Sequence, residues 1–302
     1  MQDDMKKQVN ILISTYNGEK YIKAQIDSIL AQTYKNIKIY VRDDGSTDQT
    51  IQILKEYESK GDIILFTSTN IGYGKSFLKL LNDTKEGCFW AFSDQDDIWH
   101  EKKISYAVDW FDKQDPSLPL LFHSAYDLVN EDMSKVIGCR LPPRKAYQFH
   151  NAITDCIYQG FSLVVNNILR DLVLKCDINR LTSHDWIVTL IVAEFGLAKF
   201  DERIACRHRR HEESISGMSL NNRLDWFKST LKGDSDIKST AKEFVRIFGD
   251  ERDDPNMRVV RWFTHDKYSF IDTMKKVFYP KRWRSTLSSE LSIRFLMLIG
   301  KI

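Results

Sequence analysis

Asp94-Gln95-Asp96-Asp97 places three carboxylates within four residues, directly after the apolar run CFWAFS. Carboxylates this close repel one another, and burial raises the cost of ionising them together. A hard divalent cation removes that cost. Mg²⁺ and Mn²⁺ typically take one or two protein carboxylates and fill their other positions with water and phosphate oxygens. A solvated acidic loop is the bland alternative, but a solvated loop seldom emerges from so apolar a strand. The spacing does not fit an EF-hand, which needs a following Gly and a distant bidentate Glu. A second acidic stretch, Asp43-Asp44-Gly45-Ser46-Thr47-Asp48, has two roles open. Ser46, Thr47 or Asp48 can cap a helix beginning near Gln49, while Asp43 and Asp44 are expected to point into a cleft. A carboxylate there can accept the imide N–H of a uracil or thymine base. Cys206-Arg207-His208-Arg209-Arg210-His211 carries metal-ligand types, but its cationic neighbours and the lack of a second ligand cluster argue against structural zinc. One His completing a phosphate-bridged metal site, with arginines near a diphosphate, fits better. In His184-Asp185-Trp186 the carboxylate can serve a helix N-terminus or act as a general base toward an oriented hydroxyl. The residues alone leave that choice open.

These groups need elements to position them. Val9–Ser14, Ile37–Val41, Ile63–Thr67 and Cys88–Ser93 are strand-length runs rich in β-branched and aromatic residues. Between them, Tyr21, Ile22, Ile26, Ile29 and Leu30 share one helical face, and Ile51, Leu54 and Tyr57 another. Strand–helix alternation at this pitch predicts βαβ units and a mainly parallel sheet with helices on both faces. Ligands bind such sheets at the carboxyl ends of the strands. The polar clusters Ser14–Asn17, Asp43–Ser46, Asn70–Gly72 and Asp94–Asp97 all fall there. Further on, Leu120–Ser124 is expected to be a strand, Gln159–Ser162 a loop, and Asp185–Phe195 a buried helix capped by Thr182 or Ser183. From Met218 the pattern turns to polar helical segments. A boundary near residues 216–220 therefore divides a first domain, 1–217, from a helical C-terminal region, 218–302. There is no internal repeat.

Composition bounds the class. The chain has 302 residues, 42% apolar and 28% charged, enough for a large core and far from disordered or low-complexity composition. No run reaches the roughly 18 apolar residues that span a bilayer, and the charged Met1–Gln8 start does not read as a secretory signal. Five cysteines without CxxC pairing suggest reduced thiols and a cytoplasmic setting. The net charge of +2 hides an asymmetry, because Lys275–Ile302 holds seven Lys/Arg and one Glu.

Taken in order, Ile13–Gly18, Asp43–Asp48, Asn70-Ile71-Gly72, Ser93–Trp99, His184-Asp185-Trp186 and the late His211 resemble family 2 glycosyltransferases. These are inverting, metal-dependent enzymes of the GT-A fold, and the likeness spans about residues 8–217. The Ser-Asp-Gln-Asp-Asp-Ile-Trp form with a downstream His-Asp-Trp looks most like bacterial rhamnosyltransferases of cell-wall and capsular polysaccharide synthesis. The resemblance implies that Ser14, Tyr16 and Asp44 hold the nucleoside, with Asn70 and Lys75 near the base or phosphates. Asp94 on the donor side and Asp96 would form the DxD element, with Asp96 and His211 binding Mn²⁺ or Mg²⁺. Gly160, Phe161 and Trp186 would lie on the acceptor side, and Asp185 would be the catalytic base. The Arg207–Arg210 segment would help stabilise charge on the leaving diphosphate. Lys75-Ser76-Phe77 stands where many relatives carry an Asn before the Phe, and the Gln-x-x-Arg-Trp motif of processive relatives is missing, which implies addition of one or a few sugars.

The implied donor is dTDP-rhamnose, with a UDP-hexose or UDP-galactofuranose as the alternative. The implied acceptor is a saccharide, free or carried on a polyprenyl diphosphate; no nucleic-acid partner is expected. A sugar-nucleotide pyrophosphorylase would need a Gly-rich loop after the first strand, which Ser14-Thr15-Tyr16-Asn17 is not. An inactive sugar-nucleotide-binding protein would not be expected to keep Asp94, Asp96, Asp185 and His211. The tail from Lys275 mixes basic residues with Phe278, Tyr279, Trp283, Leu287, Leu291, Phe295, Leu296 and Leu298. It reads as an amphipathic basic helix on the inner face of the membrane, or as a helix packed on the body or on the partner of a homodimer.

Overall fold

The computed structural model describes residues 7–143, 145, 147–181, 183–211, 236–250 and 252–302. Its first half repeats the βαβ unit: β1 (Val9–Thr15), α1 (Ile22–Leu30), β2 (Ile37–Asp43), α2 (Thr50–Ser59), β3 (Ile64–Thr67), α3 (Tyr73–Asp83) and β4 (Phe89–Ser93). The expected strand boundaries agree to within two residues. β3, β2, β1 and β4 lie side by side and parallel. The chain therefore leaves β1 toward β2 on one side and returns to β4 on the other, a switch point that opens a crevice at the carboxyl ends.

Beyond β4 the sheet becomes mixed. It contains β5 (Ile98–Trp99), β6 (Leu120–Val129), β7 (Val136–Arg140), β8 (Leu163–Asn166) and β9 (Leu197–Arg209). The order is β3-β2-β1-β4-β8-β6-β9-β5, with β7 also on β6. β8 is antiparallel to both β4 and β6, whereas β6 and β9 run parallel. β6 is twice the expected length because its first half pairs with β8 and its second with β7. Helices α4 (Lys103–Phe111), α5 (Phe149–Thr154), α6 (Asn167–Val173) and α7 (His184–Phe195) complete this part.

Alternation along β1 divides the core between the sheet faces. Ile11 and Ile13 pack with Ile22, Ile26 and Ile29 of α1, and with Ile104 and Phe111 of α4. Leu12 faces the other way, toward Phe77 and Leu81 of α3 and a cluster extending through α5 and α7. The C-terminal region is helical: α8 (Asp236–Phe248), α9 (Pro255–Arg261), α10 (Phe270–Val277) and α11 (Leu287–Leu298). Its Phe244, Met257, Trp283, Ile293 and Leu296 join that second cluster. The basic tail, expected as one amphipathic helix, is α10's last turn and α11. Phe278 ends α10, and Pro280 cannot donate a helical N–H. Among the described residues no helix is long and apolar enough to cross a membrane. None of the five cysteines forms a disulfide. The expected boundary at 216–220 and the candidate cap Thr182 lie outside the described residues.

Candidate active site

A cavity of about 580 Å³ opens at the carboxyl ends of β1, β2 and β4. It brings together Ser14, Tyr16, Asp44, Asn70, Asp94, Asp96, Gly160, Phe161, Asp185 and His211, residues spread over nearly two hundred positions. Two expected residues lie elsewhere. Trp186 sits on the core side of α7, 8% exposed, with its indole N–H donating to the Ala152 carbonyl at 2.9 Å. It follows Asp185 by one position and so points about 100° further round the helix. Lys75 is half-buried on α3 and does not line the cavity. Tyr73 and Phe77, four apart and therefore on one face, do.

The loops after β1 and β2 are laced together by side chains. Ser46 Oγ accepts from the Asn17 N–H at 2.9 Å, and Asn17 Oδ1 accepts from the Thr47 N–H at 2.9 Å. Asp48 accepts from the Thr50 N–H at the start of α2 and from the Glu19 N–H. Asp43, expected in the cleft, instead closes its own turn. It is fully buried and accepts from the N–H groups of Gly45 and Ser46 and from the Ser46 hydroxyl. Asp44 alone of the pair reaches the cavity. Its carboxylate is held by Arg42 Nε at 3.0 Å and the Ile71 N–H at 3.3 Å.

Gln95, which the sequence reading passed over, fastens the acidic segment to β1. Its side-chain oxygen accepts from Thr15 Oγ1 at 2.6 Å and the Tyr16 N–H at 2.9 Å. The three acids then separate. Asp97 is fully buried and pairs through Oδ1 with His208 Nδ1 at 2.8 Å, while its Oδ2 has no hydrogen-bond partner among the described residues. Burial alone would depress the His208 imidazole, but the facing Asp97 carboxylate outweighs it and raises the pKa. The His208 ring stacks on Phe161 with centroids 4.2 Å apart. Burial, then Asp97 and Asp96, push the Asp94 carboxyl well above the usual range. Asp96 is raised by burial and by Asp97, and its Oδ2 lies 2.7 Å from His211 Nε2.

This donor set suits a divalent cation. Asp94, Asp97 and His208 each offer a ligand atom, all within 4.8 Å of one another, and Asp96 with His211 forms a second pair at the cavity wall. The Asp97 oxygen without a partner among the described residues and the raised Asp94 are the marks of three crowded carboxylates that His208 only partly offsets. Oxygen ligands with imidazole fit Mg²⁺ or Mn²⁺. Arg209 reaches the same region, its Nε donating to the Asp96 carbonyl at 2.9 Å and its guanidinium lying 4.4 Å over the Tyr21 ring.

Asp185, which lines the same cavity, stands in the first turn of α7, where a carboxylate is favoured by the helix N-terminus. Its Oδ2 accepts from the Gly160 N–H at 3.3 Å and its Oδ1 from the Ser183 hydroxyl. Ser183, at the N-cap, thus holds the carboxylate rather than capping the helix backbone. His184 lies beside it, 2% exposed, with Phe77 and Phe92 centroids 4.5 and 5.0 Å away. Neither ring nitrogen has a hydrogen-bond partner among the described residues, and burial lowers the pKa so that the ring is neutral. Gly160 is required here, because a Cβ on it would lie 2.5 Å from His184 Nε2.

Comparison with known proteins identifies the family and the fold. Residues 10–172 match the family described as Glycosyl transferase family 2. The chain is 39% identical over 224 residues to an uncharacterized glycosyltransferase of Haemophilus influenzae, covering 70% of this chain and 68% of that protein. It is 38% identical over 103 residues to the dTDP-rhamnosyl transferase RfbG of Shigella flexneri, covering 32% of this chain and 36% of that protein. Among solved structures, S. aureus TarS 1–349 in complex with UDP-GlcNAc superposes with a TM-score of 0.60 at 16% identity, over 97% of this chain and 79% of that one, a likeness of fold. The family match covers more than half of the chain, and the superposed fold has the same architecture. The chain belongs to glycosyl transferase family 2 and is a glycosyltransferase.

Proposed function

We propose that this glycosyltransferase moves a sugar, with inversion, from a nucleotide-sugar to a hydroxyl of a saccharide or polyprenyl-diphosphate-linked saccharide. The observation that carries the reading is one cavity lined by Asp185 together with Asp94, Asp96, His208 and His211, with Asp97 buried against His208. Ser14, Tyr16, Asp44 and Asn70 hold the nucleoside, and Asp94 its sugar–phosphate side. Gly160 and Phe161 border the acceptor. Asp96 and His211, next to Asp94, Asp97 and His208, would hold Mn²⁺ or Mg²⁺, which supplies Lewis-acid stabilisation of the leaving diphosphate. Asp185 accepts the acceptor hydroxyl proton as that oxygen attacks the anomeric carbon, and the Gly160 N–H and Ser183 hydroxyl aim its carboxylate. Arg209 adds positive charge on the departing side.

The favoured donor is dTDP-rhamnose, supported by the partial similarity to RfbG. A UDP-hexose is the second reading, favoured by the fold shared with the UDP-GlcNAc-bound TarS. Release of nucleotide from a panel of dTDP- and UDP-sugars, with Mn²⁺ or Mg²⁺, decides between them. Turnover of dTDP-rhamnose alone is expected, and turnover of a UDP-sugar instead removes the rhamnose assignment. Chelation with EDTA is expected to abolish release, and release that survives it overturns the metal assignment. Asp185→Asn is expected to cut transfer by about 100- to 10,000-fold while calorimetric donor affinity stays within a factor of about 3. Unchanged transfer removes Asp185 from the role of base.

A further inference from the structure

The exposed apolar surface of this chain is unevenly placed. Of eighteen large hydrophobic residues exposed among the described residues, nine lie between Tyr268 and Ile299. On α11 they form a single stripe: Leu287, Leu291, Phe295 and Leu298, spaced four, four and three apart. The opposite side of the same helix, Glu290, Ile293, Leu296 and Met297, is buried against the body. The helix is thus apolar on both sides, with one side packed on the fold and the other exposed. α10 repeats the pattern, exposing Phe270 and Ile271 and, just past its end, Phe278 at 75%.

The two helices run alongside each other in opposite directions. Gly300 lies against the Tyr268 ring at one end, and Arg294 reaches the carbonyls of Val277, Tyr279 and Lys281 at the other. This bracing holds the pair in place while Leu287, Leu291 and Leu298 on the outer side stay about half or more exposed. From Lys267 onward the exposed charges are of one sign, and Asp266 just before them is paired with Lys242 and Lys238. Lys267, Lys275, Lys281, Arg282 and Lys301 are exposed. The only carboxylates from 267 to 302 are Asp272 and Glu290, and both are largely buried and paired, Asp272 with Lys275 and Glu290 with Arg294.

We infer that the outer face of α10 and α11 docks on an anionic lipid surface, with the Leu287–Leu298 stripe and Phe278 entering the headgroup–acyl boundary and the five exposed cations meeting lipid phosphates. Apolar side chains beside Lys and Arg on a helix that lies in the surface plane are the combination such an interface takes up. A second copy of the chain is a poorer occupant, because pairing this face with itself sets cations against cations. The cavity belongs to the family's reaction, whereas this face lies on separate elements, and the inference does not depend on the donor.

The test uses the full chain and no transfer reaction. Co-sedimentation is measured with vesicles of phosphatidylcholine alone and of equal parts phosphatidylcholine and phosphatidylglycerol, and association of the free protein is followed by analytical ultracentrifugation. Binding to the anionic vesicles is expected, with partitioning weaker by about tenfold or more on phosphatidylcholine alone. Leu287→Ser with Leu291→Ser, and separately Lys281→Glu with Arg282→Glu, are expected each to lose about tenfold while melting at the wild-type temperature, since all four positions are exposed. Three results overturn the inference: no binding to anionic vesicles, equal binding by the variants, or a dimer in solution that the Leu287→Ser/Leu291→Ser protein no longer forms.

Discussion

His184 is an expensive residue to keep where it stands. A buried polar group without a partner costs about 1–3 kcal/mol, and both nitrogens of this 2%-exposed ring lack one. Its neighbours Phe77 and Phe92 would accept another aromatic ring. His184→Phe is therefore expected to melt no lower than wild type, and a loss of at least about tenfold in transfer is the result expected if a ring nitrogen bonds a ligand hydroxyl. Wild-type turnover in that variant would reduce the imidazole to packing. The neighbouring glycine gives a matched change: Gly160→Ala would drive a methyl group against His184 Nε2 and shift the N–H that aims Asp185. The expected result is a fall in kcat larger than any rise in donor KM. At this scale the sequence was most legible where residues close in the chain also act together, as in Asp94 and Asp96. It was least legible where function depends on helix phase, which turns Trp186 inward and puts Tyr73 and Phe77 rather than Lys75 in the wall. The Asp97–His208 pair spans 111 positions, and no local pattern announces such a contact.

Elements show the same division. β1 to β4 are legible because buried parallel strands are short apolar runs separated by amphipathic helices. β9 was not, since LAKFDERIACRHR puts charged residues on its exposed side and reads as a ligand cluster rather than a strand. Cys206 and Arg207 instead pair with Trp99 and Ile98 of β5, and His208 and Arg209 continue the strand to the cavity. The junction that feeds β9 is tightly set. Gly196 follows α7 directly, and a Cβ there would fall 1.9 Å from the Pro119 carbonyl oxygen, a backbone atom that cannot rotate away. That same oxygen accepts from the Leu197 N–H at 2.9 Å, which starts β9 beside β6. Gly196→Ala is expected to cost about 1–3 kcal/mol, read as a lower midpoint in urea unfolding. Wild-type stability would mean that the β6–β9 entry yields where the packing says it cannot.

Across the whole molecule, the C-terminal helices and the half that carries the sheet rest on one apolar cluster. Trp283 is fully buried there, its carbonyl accepting from Thr154 Oγ1 at 3.1 Å and its indole N–H donating to the Lys276 carbonyl at 3.0 Å. Glu194 near the end of α7 pairs with Arg252 and accepts from Asn256 Nδ2 at 2.8 Å. The helix that carries Asp185 is thus covered by α8 and by Trp283's neighbours, and the two parts are expected to unfold in one transition. Lys276 gives that coupling a pH signature. Burial lowers its pKa from 10.5 to about 8 while its ammonium donates to the Ile302 carbonyl oxygen at 2.6 Å. Below pH 8 both the folded and unfolded chains hold the proton, and the folded state bears the cost of a buried charge. Between about 8 and 10.5 the unfolded chain keeps the proton and the folded one releases it, so this group makes the protein more stable as pH rises. Lys276→Met removes the titration. Comparing the two proteins by urea unfolding cancels the other ionising groups. The variant's stability relative to wild type is expected to be greatest below pH 8 and to fall steadily toward pH 10. The same trend should be seen by tryptophan fluorescence and by nucleotide-release activity after denaturant challenge, because losing the C-terminal helices uncovers the core beneath Asp185. A trend seen by fluorescence alone would separate the two parts into independent units.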